Sequence, residues 1–170
     1  MSSVSSLPQP QVRKAWHCDH HSRLRKGGPA DLEEIYALNV VSFSEAWSRQ
    51  SLANALDTGF DFRVRRIRGG QLAAYYLGQD VLDEVHVLQL AVAPPFRRQG
   101  LASEIMREMM AEKRLLGIRR AILEVRDSNR IAQQMYKALG FSVIGRRKDY
   151  YRSPNGTRKC EDALIMLRRL

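Results

Sequence analysis

A chain of 170 residues with 44% hydrophobic content has the length of one ordinary domain and enough apolar material to build a core. Its apolar runs are broken by charge within about ten residues, far short of the roughly 20 needed to span a bilayer as a helix, which excludes a helical integral membrane protein. The net charge of +10 gathers at the ends, +4 in residues 1–28 and +5 in residues 141–170, which suits phosphate on RNA, a ribosome or a nucleotide cofactor, or else a plain solvated surface.

Cys18 and Cys160 lie in no metal-ligand spacing, so neither a disulfide scaffold nor a zinc finger is implied. With no apolar signal segment in the first 28 residues, a reducing cytoplasm is the expected location. Residues 1–28 are rich in Ser, Pro, Gln, His and Arg without a sustained period, and read as a flexible basic arm ahead of one domain over 29–170. Trp16-His17-Cys18-Asp19-His20-His21 crowds ligand types together without the spaced pairs of a structural zinc site, so no metal is expected. A short strand fits residues 22–26.

Asp31 with Glu34 three residues on has the form of a capping box, and Leu32, Ile35, Tyr36 and Leu38 recur at helical spacing, predicting a helix over 30–43. Ser48 is placed to cap a second helix carrying Leu52, Ala55 and Leu56 and ended by Gly59. Residues 60–67 alternate apolar side chains with Asp and Arg, residues 72–77 are apolar and aromatic, and Gly69-Gly70 lies between them, as in a hairpin. A third strand over 85–92 is stopped by Pro94-Pro95. From Gly100 the period changes. Leu101, Ile105, Met109 and Leu116 mark an apolar face and Glu104, Glu108 and Glu112 a polar one, predicting a helix of about four turns. A strand over 121–125, a helix over 129–139 ended by Gly140, and strands over 141–144 and 163–167 follow. Hairpins beside a crossover helix give a mixed sheet with helices on its faces, fold class α/β or α+β.

The stretch richest in chemistry is Leu90-Ala91-Val92-Ala93-Pro94-Pro95-Phe96-Arg97-Arg98-Gln99-Gly100-Leu101-Ala102. A strand feeds a basic loop, and small residues open a helix whose first N–H groups lack an internal acceptor, an arrangement that binds anions. Gly100 allows close backbone approach, Ala102 keeps the first turn narrow, and Arg97 and Arg98 add charge suited to a pyrophosphate. A basic surface loop is the plain alternative, and the glycines of a dinucleotide fingerprint are missing.

Arg97, Gly100 and Ala102 fit the pattern Gln or Arg, two residues, Gly, one residue, Gly or Ala, so the segment resembles the acyl-CoA pyrophosphate loop of the GNAT N-acetyltransferases. The likeness continues in order through Leu123-Glu124-Val125-Arg126-Asp127-Ser128-Asn129, Met135-Tyr136-Lys137-Ala138-Leu139-Gly140-Phe141, Arg147-Lys148-Asp149-Tyr150-Tyr151 and Glu161-Asp162-Ala163-Leu164-Ile165-Met166. It covers residues 30–168 and is similar to the branch of the family that acetylates the N-terminal alanine of a small-subunit ribosomal protein. The resemblance implies a GNAT fold, with a mostly antiparallel sheet, splayed central parallel strands and about four helices. It also implies an acetyl-CoA co-substrate. Its pantetheine arm would pair with the backbone of Leu90, Ala91 and Val92, and its pyrophosphate would rest on Arg97, Arg98, Gln99, Gly100, Leu101, Ala102 and Ser103. The implied partner is a protein N-terminus, with ribosome or RNA contact through the basic ends.

The same resemblance makes Glu124 the proton acceptor and Tyr136 the proton donor. An α-amino group has a pKa of about 8 and is mostly protonated at neutral pH, so something must take a proton before it can attack. Glu124 is the sole carboxylate on an apolar strand, where partial burial would raise its pKa; a strand carboxylate paired with arginine is the competing reading. Tyr136 would protonate the departing thiolate, or is ordinary core. Asn129 lies two turns from it on one helix face and either caps that helix or bonds the coenzyme. His86 reads as structural. Tyr150 and Tyr151 match a paired tyrosine beside the family's peptide groove and either flank the incoming N-terminus or close the sheet edge. Glu161 or Asp162 could meet a basic substrate residue. No cysteine lies in the matched blocks, so transfer is expected by direct attack.

The departures lie outside the coenzyme motif: Ala46 precedes Trp47-Ser48 where the branch has proline, the arm is longer, and residues 155–159 are basic. Two other readings stay open. One is a GNAT enzyme for lysine side chains or small amines; the other is a non-enzymatic acyl-CoA-binding or RNA-binding module, which the lack of an aromatic-interleaved platform disfavours.

Overall fold

A computed structural model describes residues 24–152 and 160–170. The strands are β1 (Arg25–Lys26), β2 (Asp61–Arg66), β3 (Leu72–Val81), β4 (Glu84–Val92), β5 (Arg120–Arg126), β6 (Ser142–Tyr151) and β7 (Glu161–Arg169), and the helices α1 (Leu32–Ser42), α2 (Arg49–Asp57), α3 (Leu101–Leu115) and α4 (Arg130–Ala138). They form one sheet in the order β1-β2-β3-β4-β5-β7-β6, antiparallel throughout except for β4 against β5. The expected mixed sheet with four helices is therefore present. The metal-like cluster at 16–21, the first 23 residues of the arm and residues 155–159 lie outside the described residues; the strand expected at 22–26 is β1, paired with Val64 and Arg63.

Each face of the sheet has its own core. Ile35, Leu38, Leu52 and Ala55 of α1 and α2 pack on Phe62, Val64, Tyr75 and Leu77. Ile105, Met106, Met109 and Tyr136 of α3 and α4 pack on Tyr76, Ala121, Leu123 and Val125. The alternation in β5 and the unbroken apolar run in β3 follow from this, because β3 is covered on both sides. A fully buried side chain such as Ile105 or Leu52 contributes about 2 kcal/mol.

Two expectations are corrected, and the polar face of α3 gains partners. A 3-10 turn at Pro29–Asp31 precedes α1, and Asp31 and Glu34 do not cap it as a pair. The Asp31 carboxylate instead accepts the Gly28 N–H at 3.0 Å and binds Arg25 and Arg66, while Glu34 binds Arg66 and accepts the Leu72 N–H. The polar face of α3 is not simply solvated: Glu104 and Glu108 pair with Arg65 of β2, and Glu112 with Arg63. Four helical residues rise about 6 Å and two strand residues about 6.6 Å, so glutamates at i, i+4, i+8 track arginines at i, i+2. The strand expected at 141–144 extends through Tyr151 as β6, an edge strand whose ladder bonds all go to β7.

Candidate active site

The parallel pairing of β4 with β5 runs from Glu84 opposite Arg120 to Val87 opposite Leu123 and stops there. Leu88 is an extra residue in β4, since Leu77 of β3 faces Gln89 and Gly78 faces Val87. A bulge bends its strand and adds twist, and here it coincides with the point of divergence. Gly78, opposite the bulge, leaves room for the Tyr76 side chain, because a Cβ there would sit 1.9 Å from the Tyr76 hydroxyl oxygen. Beyond the bulge β4 keeps only β3, so Leu90, Ala91 and Val92 present an open backbone edge. Strand alternation turns the Ala91 N–H and C=O to Tyr75 of β3, in phase with the Ala93 N–H bond to Ala73, and leaves Leu90 and Val92 facing the open side, where the Val92 carbonyl already accepts Arg97 Nε at 2.8 Å.

That edge ends at the basic loop. Arg98 adopts φ 63° and Gly100 φ 85°, and a side chain built on Gly100 would enter open space. The first backbone bond of α3 is from the Glu104 N–H to the Gly100 carbonyl, so among the described residues the N–H groups of Leu101, Ala102 and Ser103 have no acceptor. This cradle fits a diphosphate: unfilled donors, the positive end of a helix dipole and room for close approach. The two arginines differ. Arg97 is turned back to Val92 and Ser42, whereas exposed Arg98 has no polar partner among the described residues. Gln99 donates to the Pro95 carbonyl, and the Leu101 side chain is buried in the core.

Glu124 is the first residue of β5 beyond the last pair with β4. Strand alternation turns Leu123 and Val125 into the α3–α4 core and leaves Glu124 and Arg126 on the other face. Glu124 Oε1 accepts Arg147 Nη1 at 2.7 Å, and its side chain is 27% exposed. The arginine pairing weighed as the competing reading is thus present, and the carboxylate remains at the mouth of the notch.

Tyr150 and Tyr151 both lie on this side because β6 bulges between Arg147, opposite Ala163, and Tyr151, opposite Glu161. Asp149 takes φ 52° in that bulge, its N–H donating to Asp162. The two rings meet edge to face at 5.0 Å, Arg147 stacks on Tyr150 at 4.0 Å and Arg126 on Tyr151 at 4.1 Å. Burial first, then the negative charge of Glu124, pushes the Tyr151 phenol up to about 12. Burial, with a smaller push from Tyr151, holds the Tyr136 phenol at about 12. Tyr136 packs edge-on against Phe141 at 5.7 Å, and its hydroxyl has no protein hydrogen-bond partner among the described residues. Tyr151 therefore lies electrostatically between Glu124 and Tyr136. Asn129 caps α4, its Oδ1 accepting the Ala132 N–H at 3.1 Å; its amide nitrogen makes no bond to the described residues.

Glu161 and Asp162 are engaged internally rather than held out for a basic substrate residue: Glu161 binds Arg126 and the Ser128 N–H, Asp162 binds Arg146. Residues not singled out from the sequence complete the site. Arg126 also donates to Ser44 Oγ at 2.7 Å, and the Arg152 N–H donates to Glu45, fastening the α1–α2 loop to β5 and β6. The alternation of Ile122, Glu124 and Arg126 already put Arg126 on the Glu124 face; nothing local marked Ser44 or Glu45. Among the described residues no helix is long and apolar enough to cross a membrane.

The model of the acetyltransferase (GNAT) family matches residues 32–141. The chain is 32% identical over 136 residues to a [ribosomal protein bS18]-alanine N-acetyltransferase of Haemophilus ducreyi, covering 80% of this chain and 92% of that one. It is 33% identical over 137 residues to the Escherichia coli enzyme of the same name, covering 80% and 89%. The crystal structure of the ribosomal-protein-S18-alanine N-acetyltransferase from Escherichia coli superposes with a TM-score of 0.79 at 29% identity, over 87% of this chain and 93% of that one. A notch opened by a bulge, helix N–H groups at its rim with room for an anion and this breadth of similarity lead to one conclusion: the chain belongs to the GNAT acetyltransferase family.

Proposed function

We propose that the protein transfers acetyl from acetyl-CoA to the N-terminal amine of an alanine-starting ribosomal protein, by direct attack. The observation that carries this is the placement of Glu124 as the first residue of β5 beyond its pairing with β4, beside the open edge of β4 that leads to the N–H groups of α3 left unfilled among the described residues. The names of the relatives support the substrate class. Acetyl-CoA supplies an activated thioester, so the chain's own residues have to orient the amine and move two protons. The backbone of Leu90, the Val92 N–H and the first turn of α3 would hold the coenzyme, joined by Arg98 and the Asn129 amide. Glu124 takes the ammonium proton, freeing the lone pair that forms the new C–N bond. As the C–S bond breaks, Tyr136 gives its proton to the thiolate, and the nitrogen releases its second proton to solvent, from which the phenol is reprotonated; a phenol held at about 12 keeps its proton at neutral pH until that step.

The reaction is placed in the cytoplasm, where ribosomal substrates are made. Contact with ribosomal RNA is assigned to a groove of about 780 Å³ lined by Arg107, Arg168 and Arg169 and by no carboxylate. The function is tested by incubating the protein with acetyl-CoA and peptides with free or blocked N-termini, then locating the acetyl group by mass spectrometry. Acetyl on the α-amine of the alanine peptide is the expected result. Acetyl on a lysine side chain of the blocked peptide would replace this reading with a lysine acetyltransferase.

A further inference from the structure

Two arginines stand over two tyrosines at the mouth of the notch, and they are held differently. Arg126 has Ser44, Glu161 and the Tyr151 ring, and only 21% of its side chain is exposed. Arg147 is 51% exposed, and its one carboxylate partner among the described residues is Glu124. The β6 bulge brings Arg147 and Tyr150 to that carboxylate together, so the free protein already has a cation on the oxygen that an incoming ammonium needs. A carboxylate can hold two cations, as Asp31 holds Arg25 and Arg66, but a guanidinium already on Glu124 repels an ammonium arriving at the same oxygen and the two compete for it. Exchange relieves that repulsion, and the Tyr150 face, 4.0 Å from the guanidinium, gives Arg147 a place to remain once it lets go.

We propose that Arg147 sets the affinity for the peptide N-terminus by occupying, in the free protein, the place at Glu124 that the substrate's ammonium takes, so that an N-terminus binds by exchange with the guanidinium. This rests on the reading of Glu124 as the residue that receives the amine. A half-exposed ion pair is weak enough to be exchanged, its strength corresponding to a factor of about five at most. A neutral N-terminus has no charge with which to displace Arg147, so the device separates free from acetylated chains.

The test is calorimetric titration of the CoA-loaded protein with a short alanine-starting peptide, free or N-acetylated. Arg147→Met is expected to tighten the free peptide about three- to fivefold and to leave the acetylated one unchanged. Arg147→Lys keeps the wild-type affinity, and in a Glu124→Gln background the gain disappears. Arg147→Gln, with an unfolding curve matching wild type, guards against a local packing effect. Weaker or unchanged binding of the free peptide, or an equal gain for the acetylated peptide, would overturn the proposal. Full turnover by Glu124→Gln alongside an intact Arg147→Met gain would remove the base role and leave the exchange standing.

Discussion

Lys113 of α3 and Asp61 of β2 form an ion pair, Nζ to Oδ2 2.9 Å, with 4% and 13% of their side chains exposed. Asp80 at the end of β3 takes the same ammonium at 2.6 Å. Burial would lower the Lys113 pKa, but the two carboxylates outweigh it and hold the ammonium charged. Asp61 also holds Arg63 Nε at 2.6 Å and keeps that partner when the ammonium is removed. Lys113→Met is therefore expected to cost about 1–2 kcal/mol in urea unfolding, and adding Asp61→Asn, which also takes a partner from Arg63, to recover none of that loss. A loss no greater than that of an exposed substitution would show that water reaches Asp61.

Glu124→Gln is expected to lower kcat by a factor of about 100 or more while calorimetric acetyl-CoA affinity stays the same, since the proposed coenzyme site lies on β4 and α3. Tyr136→Phe should lower kcat in a similar range and leave the unfolding midpoint in place, because the hydroxyl has no protein bond to lose. A full-rate phenylalanine enzyme would mean that water protonates the thiolate.

The two loop arginines should separate. Arg98→Ala removes a free cation and is expected to weaken acetyl-CoA binding about tenfold, with a shallower salt dependence. Arg97→Ala breaks the bond to the Val92 carbonyl and is expected to lower stability by about 1 kcal/mol. Gly100→Ala would strain a left-handed residue by about 1 kcal/mol and put a methyl where the diphosphate must lie, so coenzyme binding should fall more than stability.

Burial pushes the Asp31 carboxyl up, but hydrogen bonds from Arg25, Arg66 and the Gly28 N–H outweigh it and bring it to about 2, against 3.8 in the unfolded chain. The unfolded chain thus takes up its proton at the higher pH. The stability from this group is whole above about pH 4 and is lost as pH falls to about 2, an effect of about 2 kcal/mol. Asp31→Asn should be less stable than wild type at pH 7 by about that amount, with the difference closing by pH 2 in chemical denaturation. A constant difference would assign the loss to packing instead.

The sequence by itself determined most of the elements and the strand–loop–helix junction at residues 92–103, because both are local. Pro94-Pro95 stops β4, Gly100 at φ 85° opens α3, Ser48 and Asn129 bond their own helices, and each signal acts within a few residues of its effect. Only the tertiary structure decided the contacts that join distant segments. A glutamate row on α3 reads as a solvated face until β2 brings Arg63 and Arg65 under it, 39 to 49 residues away in the chain. The length of β6 was hidden in a charged run, since an edge strand can leave both faces in water and still hold its ladder with β7. The Glu124–Arg147 pair depends on a bulge whose register is fixed across two strands. Local conformation follows from each residue's own sterics and nearest donors, but which charges meet across the sheet is set by register and packing, and those exist only once the chain has closed on itself.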